Sequence, residues 1–335
     1  MDNTMITAPL DLTEKRADNT PLWQGAGIIV IDKPRGPSSH QVAAWVGEML
    51  GCQVGHAGTL DPQVSGVLLV MLGNAVRLAP LLLKHDKEYV CLMRLHHKIE
   101  PERIHAVAAE FTGRIYQRPP RRSAVKRLLR IRTIHQLDIL DINENLVLMK
   151  VQCDAGTYIR SLCHHIGLAL GTGAHMQELR RTRSGAFGED ALHTLHELKD
   201  ACVTATSGDR STLESLIVPV DNAVPDLPVV VVRDTAIDAL CHGAALAGVG
   251  VLRTDEFRKD QIIAVLSQKN EFVGLGKTLV SSAHKMAGKP GLVVAMTTVF
   301  LPPNTYPRGW KKHNKPADPT KIVPQKKDSI KKMPG

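Results

Sequence analysis

The sequence feature that most constrains the fold is a loop bounded by glycine and proline that leads into an apolar run. Gly55–Pro62 contains two glycines, one proline and a single carboxylate, Asp61, and the apolar run Val67–Leu72 follows. Glycine tolerates positive φ and proline sets φ at about −65°, so the loop takes an unusual backbone path. The apolar run is too short for a surface helix and predicts a core element behind the loop. Taken alone, an Asp-Pro turn more often caps backbone amides than performs catalysis.

Length and a change in composition predict two domains. A chain of 335 residues is long for a single core. Residues 201–212 are small and polar, and Val218–Pro228 holds three prolines, which predicts a linker there. We therefore expect a polar N-terminal arm over 1–20, a first domain over 21–224, a second over 228–302 and a basic, disordered tail over 311–335.

Hydrophobic periodicity predicts the fold class. In the first domain, strands and helices alternate without regular βαβ spacing, which favours an α+β domain with a mixed sheet. Predicted strands cover Gly27–Asp32, Lys87–Leu95 and Leu146–Val151, and predicted helices cover Gln41–Leu50, Glu102–Phe111 and Tyr158–Leu170. In the second domain, glycines separate short apolar runs, as expected for a small β-barrel. These runs are Val229–Val232, Ile262–Leu266, Phe272–Leu275 and Leu292–Ala295.

Positive charge is concentrated in three stretches, which favours a polyanionic partner. The formal net charge is +9, and residues 114–132 hold eight Arg or Lys and no Asp or Glu. A second cluster is Arg180, Arg181 and Arg183, and the tail from Lys311 holds eight lysines against two aspartates. Basic runs are usually solvated surface, but guanidinium groups pair bidentately with phosphate, so three such stretches favour nucleic acid. Aromatic residues make up only 4% of the chain, so an extended stacking platform is not expected.

Other function classes are disfavoured by composition. The six cysteines are scattered without a C-x-x-C pair, so neither disulfides nor structural zinc are expected. The histidine doublets are poor ligand pairs, because adjacent side chains point in different directions. No apolar run reaches the roughly 20 residues of a membrane helix, and the first residues lack the basic start and apolar core of a signal peptide. We therefore expect a cytoplasmic protein without a bound metal.

Five motifs occur in an order that identifies a family resemblance. They are GIIVIDKP at 27–34 with SSH at 38–40, HAGTLDP at 56–62, KEY at 87–89, CDAGTYIRSL at 153–162 and HMQELRRTRSG at 175–185. Together they resemble the motifs of the TruB-type pseudouridine synthases. The resemblance implies the mixed-sheet catalytic domain of those enzymes. It also implies that no metal or organic cofactor is needed, since the isomerisation exchanges a C–N for a C–C bond without net redox change.

The resemblance assigns the chemistry to Asp61. The reaction detaches uracil from C1′, turns it and rejoins it through C5, and the carboxylate would either add to C1′ or remove the 2′ proton. Either step needs an ionised, fixed carboxylate, which an adjacent guanidinium provides, and Arg160 resembles that partner. Tyr89 resembles the aromatic residue that stacks on the extracted uracil and returns about 1–3 kcal/mol. Without the resemblance, Arg160 would be read as a surface residue and Tyr89 as a core strand residue.

The resemblance places four more residues around the substrate RNA. His56 resembles the loop histidine that helps to replace the target base and is not expected to be a base catalyst. Leu179 is expected to pack against the flipped base, and Arg181 to bind the substrate RNA. Lys33 is expected either to brace the site or to contact the RNA backbone.

Within the family, the sequence resembles the dyskerin-type synthases, the catalytic subunits of box H/ACA guide-RNA particles. Segment 111–134 matches that branch, whereas the stand-alone bacterial enzymes carry a longer RNA-clasping insertion just after the position of Val125-Lys126. A short clasp implies that a guide RNA selects the target uridine by base pairing. The absence of long lysine-rich extensions resembles archaeal members.

The second domain resembles a PUA β-barrel, which in this family binds the lower stem and the ACA trinucleotide of the guide RNA. The motifs that carry this resemblance lie at 234–244, 248–253 and 305–310. It places Gly243, Ala244, Arg253 and Arg308 on the guide RNA, and glycine permits close approach of the backbone. The protein partners implied are a small zinc-ribbon scaffold protein, a Gly/Arg-rich accessory protein and a kink-turn-binding protein.

Two other functions share many of these features. A guide-independent tRNA pseudouridine-55 synthase, which acts on the T-loop uridine, has the same motifs, and the two activities are not exclusive. A non-catalytic RNA-binding scaffold would keep the basic stretches, but it gives Asp61 no role.

Overall fold

The computed structural model describes residues 21–119, 126–281 and 287–307. The predicted arm over 1–20 and the predicted tail over 311–335 lie outside these residues. The chain divides into two compact units between Leu227 and Pro228, and each unit has its own sheet and core. Within the described residues, no helix is long and apolar enough to cross a membrane.

The first unit is built on one mixed sheet of eight strands. The strands are β1 (Gly27–Lys33), β2 (Val54–Ala57), β3 (Ser65–Leu72), β4 (Lys87–Leu95), β5 (Gly113–Gln117), β6 (Arg130–Asn143), β7 (Leu146–Cys153) and β8 (Ala174–Ser184). Their spatial order is β1-β3-β8-β4-β7-β6-β5, with β2 paired to β3. The β3–β8 pair is parallel and the other neighbours are antiparallel. The predicted α+β class with a mixed sheet is confirmed.

Helices pack on this sheet in two hydrophobic clusters. The helices are α1 (Ser39–Leu50), α2 (Ala79–Leu82), α3 (Pro101–Glu110), α4 (Ile159–Ala169), α5 (Leu195–Thr206) and α6 (Ser211–Ser215). The first cluster joins α1 and α5 to β1 and to Leu68, Val70 and Leu72 of β3. The second joins α4 to β4 and β7, and it takes in Leu60 and Val64 from the loop before β3. Each fully buried side chain of this kind contributes about 1.5–3 kcal/mol, so the loop and the strand behind it are strongly anchored.

Local sequence signals set the two ends of α1. Ser38 is the N-cap of α1, since its Oγ accepts a hydrogen bond from the Gln41 N–H at 3.1 Å. Gly51 ends this helix in the left-handed region, with φ at 66°. The apolar run Val67–Leu72 forms most of β3 and is fully buried, which confirms the core element predicted behind the loop.

The predicted linker over 201–212 is wrong. Residues 201–206 complete α5. Ala201, Cys202 and Ala205 are buried in the first cluster, because residues three or four apart share one face of a helix. Their small side chains gave the segment the composition of a linker, although they form a packed helix face.

The second unit is a six-stranded sheet with one helix in its described part. Its elements are β9 (Val229–Val232), α7 (Asp234–Cys241), β10 (Leu246–Ala247), β11 (Val251–Thr254), β12 (Ile262–Leu266), β13 (Phe272–Thr278) and β14 (Leu292–Val299). The spatial order is β10-β14-β13-β12-β9-β11. The outermost strands, β10 and β11, are consecutive in the chain, so the sheet curls into a nearly closed barrel around an apolar core. The predicted barrel is confirmed; β9 and β12 have the predicted bounds, and β13 and β14 are longer.

A side chain at Gly66 of β3 would collide with β8. The φ of Gly66 is +100°, and a Cβ atom there would lie 2.1 Å from the carbonyl oxygen of Arg181. Gly171 is a matched control, because its φ is also positive (+75°) but nothing lies within 4 Å of its Cβ position. We expect Gly66→Ala to lower the free energy of unfolding by more than about 3 kcal/mol, and Gly171→Ala by about 1 kcal/mol. Urea denaturation followed by circular dichroism measures both, and equal losses would contradict the collision.

Candidate active site

Lys33 ends β1 beneath the loop that carries Asp61. Its side chain is fully buried, and Nζ donates to the carbonyl oxygens of Pro34, Pro62 and Val64 at 2.7, 3.1 and 2.8 Å. An ammonium group has three hydrogens, so these carbonyls occupy all of them. Burial lowers the pKa of Lys33, and the charge of Asp61 opposes that shift. Lys33 therefore braces the loop. Its side chain does not reach the surface, and the predicted contact with the RNA backbone stays a prediction.

Ser39, the first residue of α1, fixes the same loop through its hydroxyl. Its Oγ accepts from the Leu60 N–H at 2.8 Å and donates to the Leu60 carbonyl oxygen at 3.0 Å. One buried hydroxyl thus holds both backbone groups of the residue before Asp61. Sequence reasoning missed this role. The signal was the doublet Ser38-Ser39, of which the helix cap needs only one serine.

Arg181 on β8 holds both ends of the loop. Only 1% of the residue is exposed; Nε donates to the Val67 carbonyl oxygen at 2.8 Å, and Nη2 donates to that of Gly58 at 2.9 Å. Burial lowers the pKa of Arg181, and its hydrogen-bond partner Tyr89 opposes the shift. The predicted contact of Arg181 with substrate RNA stays a prediction. The cation is enclosed by the protein and is used to support the backbone.

Tyr89 lies on β4 with its hydroxyl directed into the protein. The residue is 9% exposed. Burial raises the pKa of the hydroxyl, the hydrogen bond from Arg181 opposes this, and the charge of Asp61 adds to it. The phenol is therefore neutral, held at its hydroxyl end and close enough to Asp61 to feel its charge. Stacking of the ring on an extracted uracil stays a prediction.

Asp61 and Arg160 form the ion pair that the sequence predicts. Arg160 is the second residue of α4, and its Nη2 donates to Oδ2 of Asp61. The Asp61 side chain is 59% exposed and the Arg160 side chain is 54% exposed. The carboxylate therefore faces solvent while the guanidinium orients it. The Val64 N–H donates to the Asp61 carbonyl oxygen at 2.9 Å, which fixes the backbone as well. The contact is confirmed, and the catalytic role stays a prediction from the sequence.

Gln117, the last residue of β5, fixes the start of α4. Its side-chain oxygen accepts from the Tyr158 N–H at 2.9 Å, and its nitrogen donates to the Tyr158 carbonyl oxygen at 3.1 Å. Gln117 is buried, so water does not compete for these bonds. Since Tyr158 is the N-cap of α4, the two bonds position Arg160. Sequence reasoning missed Gln117, which is a neutral residue within the basic stretch over 114–132.

His56 and Leu179 lie on β2 and β8. The His56 ring meets His40 of α1 edge to face, with 6.1 Å between the ring centroids. Burial first, and then the charges of His40 and Arg181, lower the pKa of His56, so the ring is neutral at pH 7. A neutral ring fits the predicted replacement of a base better than acid catalysis. Leu179 is half-buried against the second hydrophobic cluster. Their contacts with substrate RNA stay predictions.

The guide-RNA residues predicted in the second unit lie on its surface. Gly243 and Ala244 follow α7 and are exposed, and the φ of Gly243 is +85°. Arg253 is exposed on β11. Exposure is what a contact with RNA requires, and the contacts themselves stay predictions. Arg308 lies outside the described residues.

One group of side chains has the spacing of metal ligands. His135 Nε2 lies 3.1 Å from Asp154 Oδ1 and 3.4 Å from Asp86 Oδ2, and the ligand atoms all lie within 4.8 Å of one another. The other oxygen of Asp154 accepts from the Thr133 N–H at 2.7 Å. The contacts of His135 Nε2 with the two carboxylates account for the group without a metal.

Comparison with known proteins identifies the family. Residues 48–100 and 96–159 match the TruB family pseudouridylate synthase N-terminal domain, residues 160–225 the tRNA pseudouridylate synthase B C-terminal domain, and residues 228–300 the PUA domain. The probable tRNA pseudouridine synthase B of Methanosarcina barkeri is 48% identical over 289 residues, which are 85% of this chain and 86% of that protein. The chain belongs to the TruB family of pseudouridine synthases. It is an isomerase with a PUA domain, as the sequence motifs predict.

Among solved structures, this TruB-family chain is similar to Cbf5. In the crystal structure of a Cbf5-Nop10-Gar1 complex, the matching chain has a TM-score of 0.79 and 43% identity, over 88% of this chain and 94% of that one. A structure of an H/ACA RNP bound to a substrate RNA containing 2′-deoxyuridine matches with a TM-score of 0.78 and 43% identity, over 85% of this chain and 88% of that one. The resemblance to dyskerin-type catalytic subunits of archaeal box H/ACA particles is confirmed.

The arrangement separates the exposed Asp61–Arg160 pair from the buried groups that support it. One carboxylate and one guanidinium are exposed, whereas the groups that fix the loop are buried and bonded to backbone. Such a carboxylate can approach a sugar carbon or its proton without first reorganising, which is the electrostatic advantage of a preorganised site.

Lys87 on β4 makes the stability of the first unit depend on pH. It is 5% exposed, and Nζ donates to the His85 carbonyl oxygen at 2.6 Å. Burial, then the charge of Arg181, lower its pKa from 10.5 to about 8. Below pH 8 the folded state bears the full cost of the buried charge. Between pH 8 and about 10.5 the folded state releases this proton before the unfolded chain does, so stability rises with pH.

We therefore expect Lys87→Met to change the pH dependence of stability. From pH 7.5 to 10, the free energy of unfolding of the wild type should increase relative to Lys87→Met by on the order of 2 kcal/mol. Urea denaturation at both pH values measures this difference. The exposed Lys84→Met is the control and should show no such change. A pH-independent difference for Lys87→Met would disprove the lowered pKa.

Proposed function

We propose that this chain isomerises uridine to pseudouridine in rRNA, with tRNA as a second substrate, as the catalytic subunit of a box H/ACA guide-RNA particle. The observation that carries the catalytic part is the exposed Asp61–Arg160 pair on a loop fixed from inside. A nucleotide turned out of its stack can bring C1′ and the 2′ proton to this carboxylate. Tyr89 supplies the ring on which the uracil stacks, and this offsets part of the cost of extraction.

Two features support dependence on a guide RNA. The chain matches Cbf5, solved with Nop10 and Gar1, over 94% of that chain. In addition, β5 and β6 are joined by the short stretch between Gln117 and Arg130. An enzyme with a short clasp gains by delegating the choice of uridine to base pairing.

We assign the catalytic domain to residues 21–224 and the PUA domain to residues 228–302. The exposed Gly243, Ala244 and Arg253 are the proposed contacts with the guide RNA. The proposed protein partners are a small zinc-ribbon scaffold protein, a Gly/Arg-rich accessory protein and a kink-turn-binding protein. We place the particle in the cytoplasm.

A guide-independent activity on tRNA is the second candidate. The relatives named probable tRNA pseudouridine synthase B favour it, since two of them are 48% and 49% identical to this chain. A non-catalytic RNA-binding scaffold is disfavoured, because such a protein has no need for a carboxylate that buried cations and a guanidinium hold in place.

Asp61→Asn tests the catalytic assignment. The amide keeps the shape of the side chain but cannot add to C1′ or accept a proton, so we expect pseudouridine formation to fall below about one-thousandth of the wild-type rate. RNA affinity should stay within about twofold, since no phosphate contact is lost. Release of tritium from RNA labelled at uridine C5 measures the reaction, and Asp221→Asn, an exposed position, is the matched control. Activity in Asp61→Asn above a tenth of wild type would point to another catalytic group.

An assay with defined components tests the guide dependence. The full chain is incubated with an rRNA fragment or a tRNA transcript, with and without guide RNA and partner proteins. We expect modification of the rRNA fragment only when the guide RNA and partners are present. Full turnover of both RNAs by the chain alone at low concentration would contradict guide dependence and favour the tRNA synthase.

A further inference from the structure

The start of α4, which carries Arg160, is held by the two neighbouring strands β5 and β6. These strands are paired with each other. One residue makes the connection to each strand. Gln117 is the last residue of β5, and Asp154 lies between β7 and α4 and bonds to Thr133 of β6. Both connections are hydrogen bonds to main-chain groups, so they fix the path of the chain into the helix.

Gln117 makes the connection to β5 with both ends of its side-chain amide. The amide oxygen accepts from the Tyr158 N–H, and the amide nitrogen donates to the Tyr158 carbonyl oxygen. Only 2% of Gln117 is exposed. Any displacement of Tyr158 would leave buried polar groups without partners, so this residue before the first turn of α4 has one favourable position.

Asp154 makes the connection to β6 and shapes the turn that leads into α4. Its N–H donates to the Thr133 carbonyl oxygen at 2.9 Å, and its Oδ2 accepts from the Thr133 N–H at 2.7 Å. Its carbonyl oxygen accepts from Thr157 Oγ1 at 2.7 Å and from the Thr157 N–H at 3.2 Å. The turn also uses Gly156, whose φ is +76°. Asp154 therefore places the residues that precede the helix relative to β6.

Arg160 needs this support because its own side chain has few contacts that fix it. Within the residues that the structure describes, its hydrogen bond goes to Asp61, and that carboxylate is itself exposed. A long exposed side chain has many rotamers, whereas the buried Arg181 is enclosed by the carbonyl oxygens it bonds to. The position of the Arg160 guanidinium thus depends on where the main chain of α4 begins.

We propose that Gln117 and Asp154 are positioning residues for the reaction: they place the start of α4 so that the Arg160 guanidinium meets and orients Asp61. The proposal rests on the proposed function, since it takes Asp61 as the catalytic carboxylate. A misplacement of about 1 Å can cost about a hundredfold in rate, so a small shift of the helix is enough to matter. Because Gln117 and Thr133 lie on two different strands, a displacement of either strand is transmitted to Arg160.

A purely structural role for the two residues leads to different expectations. If the connections only stabilise the fold, their loss lowers the free energy of unfolding but leaves the folded enzyme and the surroundings of Arg160 unchanged. If they position Arg160, the folded variant is itself slower. The measurements are therefore made on folded protein, well below the unfolding temperature of each variant.

The guanidinium of Arg160 reports its own position without any reaction. The full chain is isotopically labelled at its arginines for nuclear magnetic resonance, and the Nε–H signal that Arg160→Met removes is assigned to Arg160. We expect Gln117→Met and Asp154→Ala to move this signal in the same direction as Asp61→Asn moves it, because all three weaken the ion pair. An Arg160 signal at its wild-type position in both Gln117→Met and Asp154→Ala would overturn the proposal.

Two matched variants control this measurement. Asp154→Asn keeps an oxygen that can accept from the Thr133 N–H, so it should restore the wild-type signal that Asp154→Ala loses. Gln152→Met removes an amide on β7 that donates to the Glu88 side chain at 2.9 Å, and the Arg160 signal should stay in place. A change in Gln152→Met as large as that in Gln117→Met would contradict a specific role for Gln117.

The rate of the reaction tests whether Gln117 acts through Arg160. The single-turnover rate of tritium release is measured with the RNA and components on which the wild type is active. We expect Gln117→Met to lower this rate by about tenfold or more, with RNA affinity within about twofold of the wild type. In an Arg160→Met background, the same substitution should cost less than about twofold, because the group that it positions is gone. An equal loss in both backgrounds would show that Gln117 acts elsewhere.

The outcomes separate this proposal from the proposed function. If Asp61→Asn is inactive but Gln117→Met and Asp154→Ala match the wild type in signal and rate, the positioning proposal alone fails. If Asp61→Asn stays active while the Arg160 signal responds as expected, the positioning of Arg160 stands and the catalytic assignment of Asp61 fails.

Discussion

The loop that carries Asp61 depends on two buried cations whose donors are aimed at backbone carbonyl oxygens. Lys33 and Arg181 bond to five carbonyl oxygens along the path from Pro34 to Val67. A buried charge is tolerated only when its hydrogen-bonding capacity is used, and charge-assisted bonds are stronger than neutral ones. Because these bonds run to the main chain, they fix the loop whatever side chains it carries. Asp61 can therefore be exposed to solvent while its main chain is held in one position.

Basic residues in this protein serve two separate purposes. Lys33 and Arg181, inside the first unit, support backbone, whereas Arg118, Arg127 and Arg160 are exposed to solvent. The RRTR run at 180–183 mixes the two, since Arg181 is buried while Arg180 pairs with Asp32 and Glu189 at a half-exposed position. Net charge alone thus overstates how much of the basic surface is available to RNA.

Much of the fold and the contact at the centre of the site followed from local sequence signals. The bounds of β4, β9 and β12 match those predicted from hydrophobic periodicity and strand propensity. The Asp61–Arg160 pair was predicted from ordered motifs. The burial of Lys33 and Arg181 was not, because a set of carbonyl oxygens around a cation leaves no trace in residue type. The roles of Gln117 and Ser39 were not predicted for the same reason, since each side chain bonds to main-chain groups that every residue possesses.

Because β3 pairs with β8, which lies far along the chain, the bonds between them form late during synthesis of the protein. Arg181 lies 114 residues from Val67 and 123 residues from Gly58 along the chain. At translation rates of about 5–20 residues per second, the loop leaves the ribosome on the order of ten seconds before the strand that supports it. The nascent chain therefore carries the Asp61 loop without its two bonds from Arg181 until more than half of its length exists. The full set of bonds that hold this loop is acquired late in synthesis, and a fragment that ends before β8 never acquires it.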